Sequence, residues 1–182
     1  MGKELFPVFL ERLKAIVGNE RYDQVVRSFS RPDVLSVRVN TLKTTRPEIF
    51  TKLKERNIAI REVPWSVEAL ILEGIAREEL GRMDLINDGS LYRQSLSSML
   101  PVLVLAPRPG ERVLDMCAAP GSKTTQMAAL MRNEGEIIAV EAIRGRYYRL
   151  KSVVAQMGAT NVALKLTDAR RFRSPVLFDR IL

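Results

Sequence analysis

The sequence predicts an α/β fold in which N-terminal helices and a small α+β module precede the first half of a doubly wound parallel sheet. Two observations support this prediction. Between Glu111 and Met131 an apolar strand, a small-residue turn and a helix follow one another. Further strand-like runs, separated by a helical segment, come after this stretch. Repeated strand–helix order is typical of a parallel sheet, so we divide the chain into residues 1–32, 33–88 and 89–182.

The composition of the 182-residue chain narrows the classes of function. The 29 Lys and Arg against 21 Asp and Glu give a net charge of +8, which favours either a polyanionic partner or simply a basic protein. With no His and one Cys, the chain offers neither an internal disulfide nor a cysteine-based zinc site. No stretch approaches the roughly 20 apolar residues that span a membrane. We therefore expect a cytoplasmic protein without a metal site.

The first segment reads as two helices. Apolar residues recur at helical spacing over residues 4–17, and Gly18 ends the pattern. A second helical pattern covers residues 20–29, and Arg31-Pro32 interrupts it. We assign these helices to the first predicted domain, residues 1–32.

The second segment reads as a small α+β module. Leu35 to Val39 alternates apolar and polar residues, which predicts a half-buried strand. A short helix is predicted over residues 47–57, and further strands are predicted over residues 58–63, 70–72 and 85–87. Several basic residues suit either a phosphate backbone or a solvated face. They are Arg38, Lys43, Arg46, Lys52, Lys54 and Arg56.

A helix is predicted between Tyr92 and Leu105, in which Arg93, Gln94 and Ser97 form the beginning. It is expected either beside a ligand pocket or buried under the first parallel strand. Residues 107–110 then form a turn into that strand, which covers residues 112–116.

The turn after this strand is the first candidate site. It reads Asp115-Met116-Cys117-Ala118-Ala119-Pro120-Gly121-Ser122-Lys123-Thr124. Small residues between a strand and a helix let a ligand approach the backbone N–H groups at the helix N-terminus. An ordinary strand–helix turn is the alternative. A P-loop is a weaker rival, because Ser122 stands where that motif needs Gly directly before Lys.

The remaining segments continue the parallel pattern. Strands are predicted over residues 135–140 and 161–166, a basic helix over residues 144–157, and the start of a fourth strand over residues 178–182. Glu141 ends the second strand, roughly 20 residues after the turn, where an acidic side chain can accept hydrogen bonds from the ribose of a nucleoside cofactor.

Three segments carry a family resemblance. The turn resembles the DxCAAPGGKT motif of the Sun/Nop-type RNA (cytosine-5) methyltransferases, with Ser122 as the only departure. Arg38-Val39-Asn40-Thr41-Leu42-Lys43 resembles the RVNTLK segment that precedes the methyltransferase domain in the same family. Tyr92 to Leu105 resembles the family's QEASSMLP segment, although Ser95 and Leu96 replace its Glu and Ala. The resemblance points to the bacterial ribosomal-RNA type of this family.

The resemblance implies a Rossmann-like S-adenosylmethionine-dependent methyltransferase domain preceded by an RNA-binding module. It also implies which residues bind the cofactor. These are Asp115, Cys117, Ala118, Ala119, Pro120, Gly121, Ser122, Lys123, Glu141, Arg146 and Asp168. In the family the last of these accepts a hydrogen bond from the adenine amino group; a helix-capping Asp is the competing role. Surface solvation is the alternative for Arg146.

The implied reaction is methyl transfer from S-adenosylmethionine to carbon 5 of a cytosine in RNA, activated by a cysteine thiolate at carbon 6. Cys117 is interpreted as a small buried structural residue. Lys123, a cation in the first turn of a helix, suggests an anionic partner or a solvated side chain. No catalytic residue is assigned, because the family's nucleophilic cysteine lies in a motif expected beyond Leu182.

The family's parallel sheet has about seven strands, so we expect this chain to be an inactive fragment of a longer enzyme. Ribosomal RNA is the first expected substrate and transfer RNA the second, acted on by a monomer. A non-catalytic RNA-binding remnant and a methyltransferase for proteins or small molecules are the competing functions, and the basic module argues against the last.

Overall fold

The computed structural model describes residues 6–30 and 34–182. The described residues up to Val34 form one compact unit, and residues 35–182 form another. In the first unit, α1 (Pro7–Val17) and α2 (Asn19–Ser28) are joined through Gly18, as predicted. The rings of Phe9 and Phe29 lie 5.8 Å apart between their centroids. The predicted break at Arg31-Pro32 lies outside the described residues.

The second unit begins with a four-stranded antiparallel sheet and the helices that cover it. The strand order is β2-β3-β1-β4. The elements are β1 (Leu35–Val39), α3 (Arg46–Glu55), β2 (Ala59–Val63), β3 (Ser66–Glu73), α4 (Arg77–Arg82), α5 (Asp84–Asn87) and β4 (Leu91–Arg93). Thr45 caps α3, because its side chain accepts from Glu48 N–H while the Glu48 carboxylate accepts from Thr45 N–H. Ile49, Leu53 and Leu80 are fully buried in the core of this sheet.

Two predicted elements in this sheet are wrong. Residues 85–87 belong to the short helix α5 and not to a strand, because Asn87 N–H donates to Met83 O and Asp88 N–H donates to Asp84 O, as in a helical turn. Arg93 lies at the end of β4, which pairs with β1, so the following helix begins only at Leu96. The small sheet therefore extends past the predicted boundary at residue 88. Helix α4 has no counterpart among the predicted elements.

The second half of this unit contains a parallel sheet with the order β7-β6-β5-β8. Its elements are α6 (Leu96–Leu105), β5 (Arg112–Asp115), α7 (Ser122–Leu130), β6 (Glu136–Glu141), α8 (Arg144–Met157), β7 (Val162–Leu166) and β8 (Arg180–Ile181). Val102 of α6, Val113 of β5 and Met127 of α7 share one buried cluster. This arrangement confirms α6 as a helix buried against the first parallel strand.

The two sheets of this unit meet through buried polar side chains. Arg38 is 2% exposed; its Nε donates to Gln94 Oε1 at 3.0 Å and its Nη2 donates to Thr125 Oγ1 at 3.0 Å. Asn40, fully buried, donates to Gly89 O at 2.8 Å and to Met157 O at 2.9 Å. The alternative that placed Arg38 on a solvated face is therefore wrong. Helices long and apolar enough to cross a membrane are absent from the described part of the chain.

Candidate functional site

The turn between β5 and α7 is closed by one buried carboxylate. Asp115 is 2% exposed and ends β5. Its Oδ2 accepts from Thr124 Oγ1 at 2.7 Å, and its Oδ1 accepts from Cys117 N–H at 3.2 Å. Burial raises the pKa of Asp115, while these two hydrogen bonds and the charge of Lys123 act in the opposite direction. Asp115 therefore fixes both ends of the loop between it and Thr124.

Gly121 lets this turn pack directly on α8. Its φ of +111° is a conformation that side-chain-bearing residues rarely adopt. A Cβ added there would lie 3.0 Å from Val153 Cγ1 and 3.1 Å from Leu150 Cδ1. Helix α7 starts at the next residue, and the N–H groups of a first helical turn have no carbonyl partner within their own helix. The turn thus presents a helix N-terminus suited to a negatively polarised ligand group.

The end of β6 lies beside this turn. Ala118 N–H donates to Val140 O at 3.1 Å, and Arg146 Nη2 donates to Ala119 O at 2.8 Å. Glu141 is 5% exposed, and its Oε1 accepts from Ile143 N–H at 2.8 Å. Its Oε2 lies 3.6 Å from Arg146 Nε, which is longer than a hydrogen bond. One oxygen of a buried carboxylate is therefore left with capacity to accept.

The residues after β7 complete this edge of the sheet. Thr167 N–H donates to Glu141 O at 3.1 Å, which places Asp168 next to the end of β6. The Asp168 carboxylate accepts from the backbone N–H and the guanidinium of Arg170, at 2.6 to 3.1 Å. This guanidinium holds the pKa of Asp168 at about 2, so the carboxylate is ionised. A turn rather than a helix follows, and Asp168 therefore caps no helix.

The structure gathers the predicted site residues at the carboxyl edge of β5, β6 and β7. Their exposure differs. Asp115, Ala118, Ala119, Gly121 and Glu141 are buried, Ser122, Lys123 and Asp168 are half-buried, and Cys117, Pro120 and Arg146 are exposed. The interpretation of Cys117 as a buried structural residue is wrong, because the turn directs it to the surface.

The sequence did not reveal the side-chain hydrogen bonds that hold the turn in place. Thr124 belongs to the motif, yet its hydrogen bond to Asp115 was not anticipated. Gln94 Nε2 donates to Gln126 Oε1 at 2.9 Å, and Gln126 Nε2 donates to Met99 O at 3.2 Å. These amides connect α6 with α7 and, through Arg38, with β1. Polar residues at otherwise apolar helix positions were the available signal.

Most of the predicted basic residues of the small module form hydrogen bonds or ion pairs with other residues of the chain. Lys43 Nζ donates to Asp88 O at 2.6 Å, and Arg46 and Glu62 form an ion pair at 2.8 Å. Both carboxylate oxygens of Asp84 accept from Arg56. Lys52 and Lys54 are exposed. With Arg38 buried, little of this set is free for a phosphate backbone.

Two family models match the chain. The first, described as 16S rRNA methyltransferase RsmB/F, matches residues 102–182, which contain the parallel sheet and the candidate site. The second, described as the RsmF/B-like ferredoxin-like domain, matches residues 8–77, which contain β1 to β3.

Individual relatives agree with these matches. A ribosomal RNA small subunit methyltransferase F from Serratia proteamaculans is 40% identical over 183 residues, covering 97% of this chain and 38% of the relative. A human 28S rRNA (cytosine(4447)-C(5))-methyltransferase is 40% identical over 156 residues, covering 83% of this chain and 19% of the relative. The chain thus spans well under half of the length of each of these two relatives.

A solved structure shows the same fold. The crystal structure of a methyltransferase homologue from Pyrococcus horikoshii superposes with a TM-score of 0.80 at 30% identity. The superposition covers 97% of this chain and 62% of that protein.

Proposed function

Because this chain belongs to the Sun/Nop family of RNA methyltransferases, represented by the RsmB/F models, we propose that it is the cofactor-binding part of an RNA (cytosine-5) methyltransferase. The proposed cofactor is S-adenosylmethionine, bound at the carboxyl edge of β5, β6 and β7. The proposed substrate is ribosomal RNA, which the names of the bacterial and human relatives support.

Glu141 carries this proposal. A buried carboxylate needs hydrogen-bond donors, and within the described part of the chain the polar contact of Oε2 is the 3.6 Å approach of Arg146. The two hydroxyls of a ribose would supply such donors at the end of the second parallel strand. The acceptor that Glu141 offers therefore fits a nucleoside, and Glu141 is the residue that would hold its sugar.

The other residues of the site have positioning roles in this proposal. Asp168, ionised at neutral pH, can accept from an exocyclic amino group once it exchanges part of its contact with Arg170. Lys123 and the first-turn N–H groups of α7 suit the carboxylate of the amino-acid moiety. Asp115 and Thr124 hold the turn in shape through the hydrogen bond between them. When bound, S-adenosylmethionine supplies an electrophilic methyl group.

Replacement of Glu141 tests cofactor binding. Glu141→Gln keeps the size of the side chain and removes its charge, so we expect S-adenosylmethionine to bind about tenfold more weakly in a calorimetric titration. Glu136→Gln is the matched control, because Glu136 begins the same strand at the opposite edge of the sheet, paired with Arg112. Equal affinity of Glu141→Gln and wild type would refute the assigned site.

Cytosine methylation is tested on the natural protein that contains this sequence. Deletion of its gene is expected to abolish a 5-methylcytosine in ribosomal RNA, detected by bisulfite mapping, and re-expression is expected to restore it. Loss of a methylated cytosine in transfer RNA instead would move the substrate to the second expected class.

The proposal includes a cytoplasmic monomer. Light scattering of the purified protein would check the monomeric state.

A further inference from the structure

We propose that a cavity between β4 and α8, outside the cofactor site, binds a nucleotide of the RNA through its phosphate. The inference rests on the proposed function, because it takes RNA as the partner. The cavity lies where the antiparallel sheet meets the helices of the parallel sheet, so both halves of the second unit build it.

The cavity has the size and composition of a nucleotide site. Its volume is about 370 Å³, within the range of about 300–1,000 Å³ typical of small-molecule pockets. Leu80 and Ile86 provide an apolar wall, and Tyr92 an aromatic one. Such walls suit the faces of a base or a ribose, because a π-face and apolar carbons contact any base without reading its sequence.

Two arginines give the cavity its charge. Arg93 ends β4 and Arg149 lies on α8; both are exposed and line the cavity. Neither forms an ion pair among the residues that the structure describes, in contrast to Arg46, Arg56 and Arg61. Burial raises the pKa of Tyr92, so its phenol is protonated at neutral pH and can donate a hydrogen bond. Two free guanidinium groups and a hydroxyl form a donor set for phosphate oxygens.

Two larger cavities on this unit lack this combination. A larger one, of about 630 Å³, is lined by Glu68 as well as Arg132, and a carboxylate opposes phosphate. Another, of about 540 Å³, has Lys54 beside the apolar residues Phe50, Ile58 and Ile60. Of these three cavities, the one lined by Arg93 and Arg149 therefore has the charge best suited to a polyanion.

The cavity is linked to the proposed cofactor site along one helix. Arg146, which donates to Ala119 O in the cofactor turn, and Arg149 are three residues apart on α8. Residues at this spacing lie on the same face, about 4.5 Å apart along the helix axis. A strand of RNA held at Arg149 would thus run towards the edge of the sheet where the methyl donor is proposed to bind.

Charge removal is the first test. Binding of a fluorescein-labelled single-stranded RNA of about ten nucleotides is measured by anisotropy over a range of salt concentrations. Arg149→Gln and Arg93→Gln are each expected to weaken binding several-fold and to reduce the slope of log K against log salt by about 0.7. Arg132→Gln, an equal charge change at the cavity that contains Glu68, is the control and should leave both quantities near wild type.

Filling the cavity is the second test, and it changes no charge. Gly81 lines the cavity, and a Cβ added to it meets no atom within 4 Å. Gly81→Leu is expected to fill the space and weaken RNA binding, whereas Gly81→Ala is expected to bind as wild type does. S-adenosylmethionine titration of every variant is expected to give unchanged affinity.

The outcomes separate this inference from the proposed function. Unchanged RNA affinity and salt slope in Arg149→Gln, Arg93→Gln and Gly81→Leu, with intact cofactor binding, would overturn the inference and leave the proposed function standing. An equal loss in Arg132→Gln would also overturn it, because the effect would then be one of net charge. Absence of cofactor binding by the wild type would defeat the proposed function, while the RNA measurements would still decide about the cavity.

Discussion

At the scale of single residues, the least expected feature is a buried guanidinium that forms neither a hydrogen bond nor an ion pair with a carboxylate of the described residues. Burial lowers the pKa of Arg38 to about 10. Its hydrogen-bond partners are neutral, namely the amide of Gln94 and the hydroxyl of Thr125, and the centroid of the Tyr92 ring is 5.7 Å from the Arg38 guanidinium carbon. The charge of Glu68 acts on Arg38 through space and partly offsets the effect of burial on its pKa. A planar fork with several donors suits this environment better than a point charge does.

Substitution of Arg38 separates the roles of charge and shape. Arg38→Lys keeps a buried charge but cannot reproduce both hydrogen bonds, so we expect it to lower the free energy of unfolding by about 3 kcal/mol. Arg38→Met removes the charge and fills similar space, and its cost is expected to be smaller, about 1–2 kcal/mol for the unpaired Gln94 oxygen. Urea denaturation compares the two variants. A Lys variant more stable than the Met variant would contradict this account.

Gly121 allows a matched test of backbone conformation. Gly121→Ala must adopt a strained φ and push Val153 and Leu150, so we expect a loss of about 2 kcal/mol in the free energy of unfolding. Gly145→Ala is the control on α8, because its added Cβ meets nothing within 4 Å and alanine favours a helix. Thermal unfolding of both variants measures the difference, and equal stability would show that the turn can relax.

At the scale of elements, β8 is a strand of only two residues, both paired with β5, and a side-chain ion pair supports it. Arg180 donates to both carboxylate oxygens of Glu111, at 2.6 and 2.9 Å, and to Leu105 O at 2.6 Å. Hydrogen bonds from Arg180 hold the pKa of Glu111 below its ordinary value of 4.5. The ion pair thus fixes an edge strand that has a short hydrogen-bonded ladder.

Acid should release this strand. Because folding lowers the pKa of Glu111, its stabilisation is complete above pH 4.5 and is lost as the pH falls through the lowered value. We expect the exchange protection of Leu182 N–H, which donates to Leu114 O, to fall over that range in the wild type. Glu111→Gln should show weak protection at every pH. Glu73→Gln, which breaks the ion pair with Arg61 in the other sheet, should behave as the wild type.

Periodicity explains which elements could be predicted. β1 and α8 appear with the predicted bounds, because an alternating or three-and-four spacing of apolar residues is a local signal. Residues 85–87 were misread, because Leu85 and Ile86 are adjacent apolar residues that fit a strand or a helical turn equally. The environment of Arg38 depends on partners 56 and 87 residues away, so no local pattern could reveal its burial.

The candidate site could be predicted for a similar reason. Its turn is contiguous in sequence, and Glu141 and Asp168 follow strands whose carboxyl ends meet at one edge of a parallel sheet. The exposure of Cys117 and the contact of Asp168 with Arg170 depend on side-chain directions that spacing does not encode.

At the scale of the second unit, the two sheets share buried hydrogen bonds as well as apolar contact. Asn40 of the small sheet bonds to Met157 O at the end of α8, and Gln156 of α8 donates to Ile86 O and Asn87 O. Because these groups are buried or partly buried, separating the sheets would leave several of them unpaired. We therefore expect the two sheets to unfold together.

Asn40→Leu tests this coupling. It leaves Gly89 O and Met157 O without their donor, so we expect about 2–3 kcal/mol lower stability and separate transitions for the two sheets. Fluorescence of Trp65, the only tryptophan, reports the small sheet, and amide exchange of β6 reports the other during urea unfolding. Asn87→Ala is the control. It removes the hydrogen bond from the Asn87 side-chain amide to Arg82 O, which lies within the small module, and should keep the transitions coincident.

Gly89 shows how tightly the halves of this unit are matched. A Cβ at this position would lie 2.4 Å from Gln156 O, so the loop before β4 meets the backbone of α8 itself. Main-chain contact of this kind cannot be relieved by repacking side chains. A chimera that transplants the antiparallel sheet onto a different parallel-sheet core would consequently fail unless the recipient helix followed the same path at this point, whatever residues it carried.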